Sequence, residues 1–153
     1  MALNTLPPGS ARPARPPYRQ WRYLALVAAG GTIGTAMREI VTILLPEIDV
    51  FPVATFGINL VGAFSLGLLL EVLARSGPDV GRRRGLRLLV GTGVLGGFTT
   101  YSALATATSL LLTDGLWWWA FGYAVGSVLL GAVMSGAGIA LGSVLRHRKE
   151  NET

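Results

Sequence analysis

The chain has 153 residues, of which 51% are hydrophobic and 14% charged, a composition typical of a small integral membrane protein rather than a soluble domain. It contains no cysteine, which excludes disulfides and thiolate metal sites. The formal net charge of +5 does not indicate a nucleic-acid partner, because the basic residues flank apolar segments and no aromatic, basic binding face accompanies them.

Four apolar segments are each long enough to supply the roughly 20 helical residues that cross a membrane. They cover residues 21–45, 51–74, 86–112 and 116–145. Residues 1–20, rich in proline and arginine, are predicted to form a disordered cytoplasmic tail, and residues 146–153 a charged cytoplasmic tail. The sequence therefore predicts an all-α integral membrane protein, with one four-helix transmembrane domain over residues 21–145.

The basic residues lie on one side of this four-span topology. Every lysine and arginine except Arg38 lies before or at the very start of the first span, around the second loop or after the last span. The first and third loops carry only the acidic residues Glu47, Asp49 and Asp114. By the positive-inside rule, the sequence predicts a multi-pass protein of the cell membrane with both termini in the cytoplasm.

The first span combines small residues with an arginine. Gly30, Gly34 and Arg38 are spaced four apart and share one helix face, where the glycines allow another helix to approach closely. An arginine in such a span must snorkel, pair or line water. Arg38 is predicted to have a structural or vestibule role, and a plain pair or a snorkel involving Glu39 is the alternative.

The second span contains Asn59, the one amide side chain inside any of the four segments. An unpaired amide in lipid costs a few kcal/mol, so Asn59 is expected to face a partner helix or water. Two interpretations stay open. The amide could join two helices, or its N–H groups could donate to an anion without adding fixed charge.

The third span contains a cluster of glycine and hydroxyl residues, from Gly91 to Ser102. Such residues weaken a helix, and in hydrocarbon every freed backbone group needs a partner. The cluster therefore predicts a third helix broken in mid-membrane, at an ion site. Hydroxyls continue along one stripe of this span and recur on one ridge of the fourth span. They are Thr99, Ser102, Thr106, Ser109 and Thr113 in the third span, and Tyr123 and Ser127 in the fourth. Taken alone, the stripe of the third span is explained by hydroxyls that bond back to their own helix backbone, and it indicates a site only together with the break.

Signatures of catalysis are absent from the sequence. It has no P-loop, no His/Asp/Glu metal constellation and no nucleophile with a base partner, and its sole histidine, His147, lies in the charged tail. The chain is therefore predicted not to be an enzyme.

Three motifs, in order, resemble the CrcB/Fluc family of fluoride channels over residues 24–145. They are residues 30–38, Gly57-x-Asn59-x-x-Gly62, and the third-span run that begins Gly91-x-Gly93 and ends Thr100-Tyr101-Ser102. The resemblance implies a fluoride-specific channel whose passive export lowers cytoplasmic fluoride and its toxicity. It also implies an antiparallel (inverted) dimer, with subunits in both topologies, two fluoride pathways and one central sodium ion that is structural and not transported.

The resemblance also implies roles for individual residues. The sodium ion would be held by the backbone carbonyls of Gly96 and Thr99, and Arg38 matches the family's first-span arginine. The fluoride pathway would comprise Asn59, Tyr101, Ser102, Leu104, Thr106, Tyr123 and Ser127.

The chain departs from the family pattern at two places. The family commonly has two phenylalanines whose ring edges face fluoride, and here Tyr101 and Leu104 stand at those positions. Tyr101 keeps an aromatic edge, whereas Leu104 does not. Gly131 stands where the family has a further serine of the fourth-span track.

Two other functions compete with the channel. A small four-helix proton-coupled multidrug exporter needs a carboxylate in mid-span, whereas Glu39 and Glu71 lie near span ends. A non-transporting membrane assembly subunit would use the polar residues for packing alone.

The charge bias adds an expectation about the partner. It predicts insertion in a single orientation, so the chain is expected to pair with an oppositely oriented paralogue in a heterodimer within the lipid bilayer.

Overall fold

The computed structural model describes residues 20–45 and 51–151, with side chains through residue 145. The predicted tail over residues 1–19 and the first loop therefore lie outside the described residues. Four helical segments are long and apolar enough to cross a membrane, which confirms the predicted all-α, four-span architecture. They are Trp21–Leu44, Val53–Arg75, Gly81–Thr113 and Trp117–Leu145.

The third span consists of several helical pieces. Helix α1 (Trp21–Leu44) and helix α2 (Val53–Arg75) precede it, and α6 (Trp117–Asn151) follows. Between them lie α3 (Gly81–Leu86), a π-helix (Arg87–Leu95), α4 (Gly96–Phe98) and α5 (Tyr101–Thr113).

The third span begins earlier than the sequence predicts. It starts at Gly81 rather than Leu86, so residues 82–84, expected in a loop, are helical. Hydropathy marks only the apolar part of a helix, whereas long arginine side chains let the helix continue into the polar interface.

Helix α1 packs against the π-helix and α4 backbone to backbone. A Cβ added at Gly34 would overlap the carbonyl oxygen of Val94, and one added at Gly93 would lie 2.8 Å from the Cα of Gly30. The predicted close approach along the Gly30–Gly34 face is thus confirmed, and glycine is the residue type that permits it.

A second pair of helices, α2 and α6, also packs through glycine. A Cβ at Gly67 would overlap the carbonyl oxygen of Ser135, and one at Gly138 would overlap that of Phe64. Helix α5 packs on α6 through a small apolar core. That core comprises Leu104, Leu111, Ala120 and Tyr123, with Phe51, Phe56, Ala107 and Leu116 packed against it. Many other large apolar side chains are exposed, as expected for surfaces that face lipid or a partner.

Candidate functional site

The helical path of the third span is interrupted at two residues, which we call the α4–α5 junction. Thr99 (φ −75°, ψ 154°) and Thr100 (φ −147°, ψ 120°) have extended backbone. The hydroxyl and the N–H of Thr99 both donate to the carbonyl of Leu95, at 2.9 Å each. Its methyl group fills the space left by Gly62 on α2, where a Cβ would overlap it. Thr99 thus closes the end of α4 against α2.

Asn59 of α2 binds the second junction residue through both ends of its amide. The N–H of Thr100 donates to Oδ1 of Asn59 at 2.8 Å, and Nδ2 of Asn59 donates to the carbonyl of Thr100 at 3.0 Å. Because a backbone N–H can only donate and a carbonyl can only accept, this pairing also determines which way the amide points. Asn59 therefore joins two helices, as one of its two interpretations predicts, and one amide hydrogen is left for another acceptor.

Thr100 is buried and caps the start of α5. Its hydroxyl accepts a hydrogen bond from the N–H of Ala103 at 3.2 Å and lies 3.1 Å from the hydroxyl of Ser102. A threonine in this position supplies a partner that the first turn of a helix otherwise lacks. The predicted pathway residue Ser102 is thereby tied to the junction.

These side-chain contacts have a consequence for two backbone carbonyls. In a continuous α-helix, the carbonyl of Gly96 would accept from the N–H of Thr100, and that of Thr99 from the N–H of Ala103. Both N–H groups instead donate to side chains, those of Asn59 and Thr100. Within the described residues, the carbonyls of Gly96 and Thr99 therefore do not receive the N–H donors that a continuous α-helix would give them.

Carbonyl oxygens are suitable ligands for a hard cation. Within residues 20–45 and 51–151, no group of three or more His, Cys, Asp or Glu side chains could hold a metal ion. The carbonyl oxygens of Gly96 and Thr99 are ligands of the type that suits such a cation.

Two hydroxyls of α6 form a second polar feature, which we call the α6 hydroxyl pair: Tyr123 and Ser127. These residues are only 3% and 8% exposed, and neither hydroxyl has a hydrogen-bond partner among the described residues. Other hydroxyls donate to a carbonyl three or four residues earlier in their own helix. They are Thr32, Thr42, Ser76, Thr99, Thr108, Thr113 and Ser143. Buried polar groups are normally paired, so this exception indicates a place for a ligand or water.

Aromatic rings surround Tyr123. The ring of Phe51 meets that of Tyr123 edge to face, with centroids 5.5 Å apart and planes at 88°, and the ring of Phe56 lies 6.4 Å away. Phe51 and Phe56 also pack edge to face on each other, at 5.3 Å and 69°. Sequence reasoning missed both phenylalanines, because their position at the start of the second span does not reveal which helix they face.

The structure divides the predicted fluoride-pathway residues into two groups. Leu104 and the α6 hydroxyl pair are buried, and Leu104 and Tyr123 belong to the core against which the aromatic rings pack, whereas Tyr101 is 81% exposed. Ser102 and Thr106 share the exposed face of α5 with Tyr101. A single subunit therefore leaves the predicted pathway split between its interior and its surface.

Arg38 lies apart from both polar features. It is half-buried on α1 and forms no ion pair within the described part of the chain, so the alternative pair with Glu39 is not seen there. Glu71, near the end of α2, pairs with Arg75.

Comparison with known proteins identifies related chains. Residues 25–139 match the family model described as CrcB-like protein, Camphor Resistance (CrcB). "Fluoride-specific ion channel FluC 2" of Leifsonia xyli subsp. xyli is 46% identical over 140 residues, which cover 92% of this chain and 97% of the relative. "Fluoride-specific ion channel FluC 1" of Cutibacterium acnes is 46% identical over 113 residues, or 73% and 79% of the two chains. The relatives are named as channels, a non-enzymatic class, and the four apolar helices fit a multi-pass membrane protein.

Proposed function

This chain belongs to the CrcB family, and we propose that it is a fluoride-specific ion channel that lets fluoride leave the cell passively. The names of its relatives support this function. The observation that carries it is the α6 hydroxyl pair, because two buried O–H groups without partners in the described part of the chain suit a small anion that has lost its water shell.

Fluoride is small and strongly hydrated, so a selective path must replace its water with several donors and still release it. Tyr123 and Ser127 supply hydroxyl donors, and Asn59 supplies the amide hydrogen that Thr100 does not use. The positive ring edges of Phe51 and Phe56 add an anion-favouring surface beside Leu104, where the family pattern has an aromatic residue. Phe51, just before α2, and Phe56 of α2 would thus take over a role that leucine cannot fill.

The second part of the proposal is an antiparallel dimer, with the third helix broken in mid-membrane at the α4–α5 junction. Tyr101, Ser102 and Thr106 lie on an exposed face that an inverted second subunit would cover. Polar side chains exposed to lipid are costly, which favours such a covering. The pathway would then join the exposed group of one subunit to the buried group of its partner.

A structural sodium ion at the dimer centre is the third part. The carbonyls of Gly96 and Thr99 would hold it, since the N–H groups of Thr100 and Ala103 are taken by side chains. Gly96 is exposed, so carbonyls of a second subunit could complete the coordination. The ion would stabilise the dimer by neutralising carbonyl dipoles that meet at its centre.

The charge bias supports the remaining parts. Basic residues at one end of the spans favour cytoplasmic termini and a single orientation in the cell membrane. An inverted dimer would then need a family chain of opposite bias, so the proposed assembly is a heterodimer. Arg38, half-buried and without an ion pair within the described residues, would line a vestibule.

The multidrug exporter is not favoured, because the relatives are named as fluoride channels and Glu71 is already paired with Arg75. Fluoride efflux from proteoliposomes tests the proposal. We expect valinomycin-dependent efflux of fluoride but not chloride, from this chain alone or with a co-expressed family chain of opposite charge bias. Efflux only with the second chain supports the heterodimer, and a requirement for sodium supports the ion site. Failure of both preparations to conduct, or proton-coupled uptake of organic cations, would overturn the proposal.

A further inference from the structure

A cavity of about 240 Å³ lies where the end of α2 meets the start of the third span. Its lining changes from apolar to charged along the helices. The apolar part is Leu70, Leu73 and Ala74, and the remainder is Gly77, Asp79, Arg83 and Arg87. Both helices are long enough to cross a membrane, so their joined ends place this cavity at the boundary between hydrocarbon and water.

The charges at the cavity do not balance. Asp79 accepts two hydrogen bonds from Arg87, at 2.9 and 3.2 Å, and lies 3.6 Å from Arg84. The hydrogen bond from Arg87, more than any other contact, holds the pKa of the Asp79 carboxyl below its ordinary value. Arg84 and Arg87 thus share one carboxylate, and Arg83 adds a third positive charge to the cavity region.

Of the arginines at this cavity, Arg83 is the one that has no carboxylate partner among the described residues. It forms no ion pair within the described residues, and its guanidinium lies against the loop glycine Gly77, where an added Cβ would be 2.5 Å from Nη1. Gly77 has a φ of 116°, a backbone conformation that favours glycine. The turn therefore leaves room for the guanidinium at the edge of the cavity.

We propose that this cavity binds an anionic phospholipid, with Arg83 contacting the phosphodiester and the leucines of α2 contacting the first part of an acyl chain. Excess positive charge attracts the anionic headgroup, and an arginine can donate two hydrogen bonds to its phosphate oxygens. The apolar wall favours a lipid over a free phosphate, which has no surface to place against Leu70 and Leu73. The site lies outside the polar features assigned to fluoride and does not depend on them.

Native mass spectrometry of the purified full chain in detergent tests this inference. We expect phosphatidylglycerol to remain bound in preference to phosphatidylcholine. The matched variants are R83Q and R82Q, which remove the same charge from neighbouring residues, since Arg82 is exposed and lies outside the cavity lining. R83Q should weaken phosphatidylglycerol binding about tenfold or more, as expected for lost hydrogen bonds to a charged group, and R82Q by less than about threefold.

Three outcomes would overturn the proposal. Equal losses in R83Q and R82Q would mean a general surface attraction, and equal binding of the two lipids would remove the charge selectivity. Displacement of phosphatidylglycerol from the wild-type chain by millimolar inorganic phosphate would show an anion site without a lipid component. The last two measurements use the unmodified chain, so they decide the question even if R83Q does not fold.

Discussion

The α4–α5 junction and the α6 hydroxyl pair are both polar sites among apolar helices, but they differ in their hydrogen bonding. At the junction, Asn59 and the hydroxyl of Thr100 take up the backbone N–H groups that the interruption frees. At the α6 hydroxyl pair, the structure provides no partner among the described residues. The N–H groups of the first site are thus paired by the protein itself, whereas the two hydroxyls of the second site have no partner in the described part of the chain.

This contrast separates polar groups that stabilise the fold from polar groups that are candidates for binding a ligand. A polar group that is fully paired by its own chain contributes to stability, and its loss is felt in the fold. A buried polar group left unpaired makes the fold less stable, so its presence requires another explanation. Substitutions should therefore affect stability at the junction and conduction at the α6 hydroxyl pair.

Replacing Asn59 with alanine should have the largest effect. N59A leaves the N–H and the carbonyl of Thr100 without partners in a buried position, which costs about 2–6 kcal/mol in free energy of unfolding. Since native proteins are stable by about 5–15 kcal/mol, this loss would be a large fraction of the free energy of unfolding. Denaturant titration of the purified protein in detergent measures the change.

Ser65→Ala is the control on the same helix, because no hydrogen bond of Ser65 is found within the described residues. It should change the free energy of unfolding by less than about 1 kcal/mol. A similar small loss for N59A would mean that the amide does not support the junction.

Glycine substitutions on α1 test whether the packing of α1 against the third span also stabilises the fold. In G34A the new methyl would overlap the carbonyl of Val94, just before α4, and overpacking of this kind costs about 1–3 kcal/mol. In G31A, on the same helix, the methyl meets nothing within 4 Å. We expect G31A to be neutral or slightly stabilising, because alanine is the better helix former. Equal behaviour of the two variants in denaturant titration would contradict the tight packing of α1 on the π-helix.

Sequence reasoning succeeds where the signal is local and additive. Four apolar segments predict four spans, and the Gly30–Gly34 spacing predicts a close helix contact. Both predictions depend on hydropathy and side-chain size within one segment, and neither requires the contacting residues to be known. The contact between Asn59 and Thr100 joins residues 41 positions apart. The sequence therefore leaves the choice between helix contact and anion donor open.

The direction in which each side chain faces is the other property that the sequence does not determine. Tyr101 and Leu104 are three residues apart and are both predicted to belong to the fluoride pathway. In the structure, however, Tyr101 is exposed and Leu104 is buried. The π-helix Arg87–Leu95 packs closely on α1 through its glycines, but glycines in a sequence do not distinguish a π-helix from an α-helix. Likewise, Phe51 and Phe56 show their relation to Tyr123 only in three dimensions.

Removing the hydroxyls of α6 should give the opposite pattern to N59A. Y123F and S127A each delete a buried group without a partner, so the free energy of unfolding should stay constant or rise slightly. Fluoride efflux should fall about tenfold for each, because a hydrogen bond to a charged ion is lost. S143A is the matched control, since its hydroxyl donates to the carbonyl of Ala140 at 2.7 Å. A loss of stability without a loss of efflux would assign the pair to packing.

The smallest effect on stability is expected at Asp79, because this carboxylate is paired with Arg87 but is also accessible to water. Arg87, through a hydrogen bond, lowers the pKa of Asp79 below its ordinary value, so the folded state favours the carboxylate. The resulting stability is fully present above the unfolded pKa of about 3.9 and is lost as pH falls through the lower folded value. Asp79 is 46% exposed, so the contribution should stay below about 1 kcal/mol.

Unfolding titrations of D79N and the wild type between pH 7 and acid measure this contribution, with D114N as the control. D79N should be slightly less stable at neutral pH, and the difference should vanish in acid, where both side chains are uncharged. A loss as large as that of N59A would contradict the comparison between the two sites. Asp79 and Asn59 each bind two donors or acceptors of the chain. The number of bonds is the same, so the difference in stability would come from burial, because water can replace the partners of Asp79 but not those of Thr100.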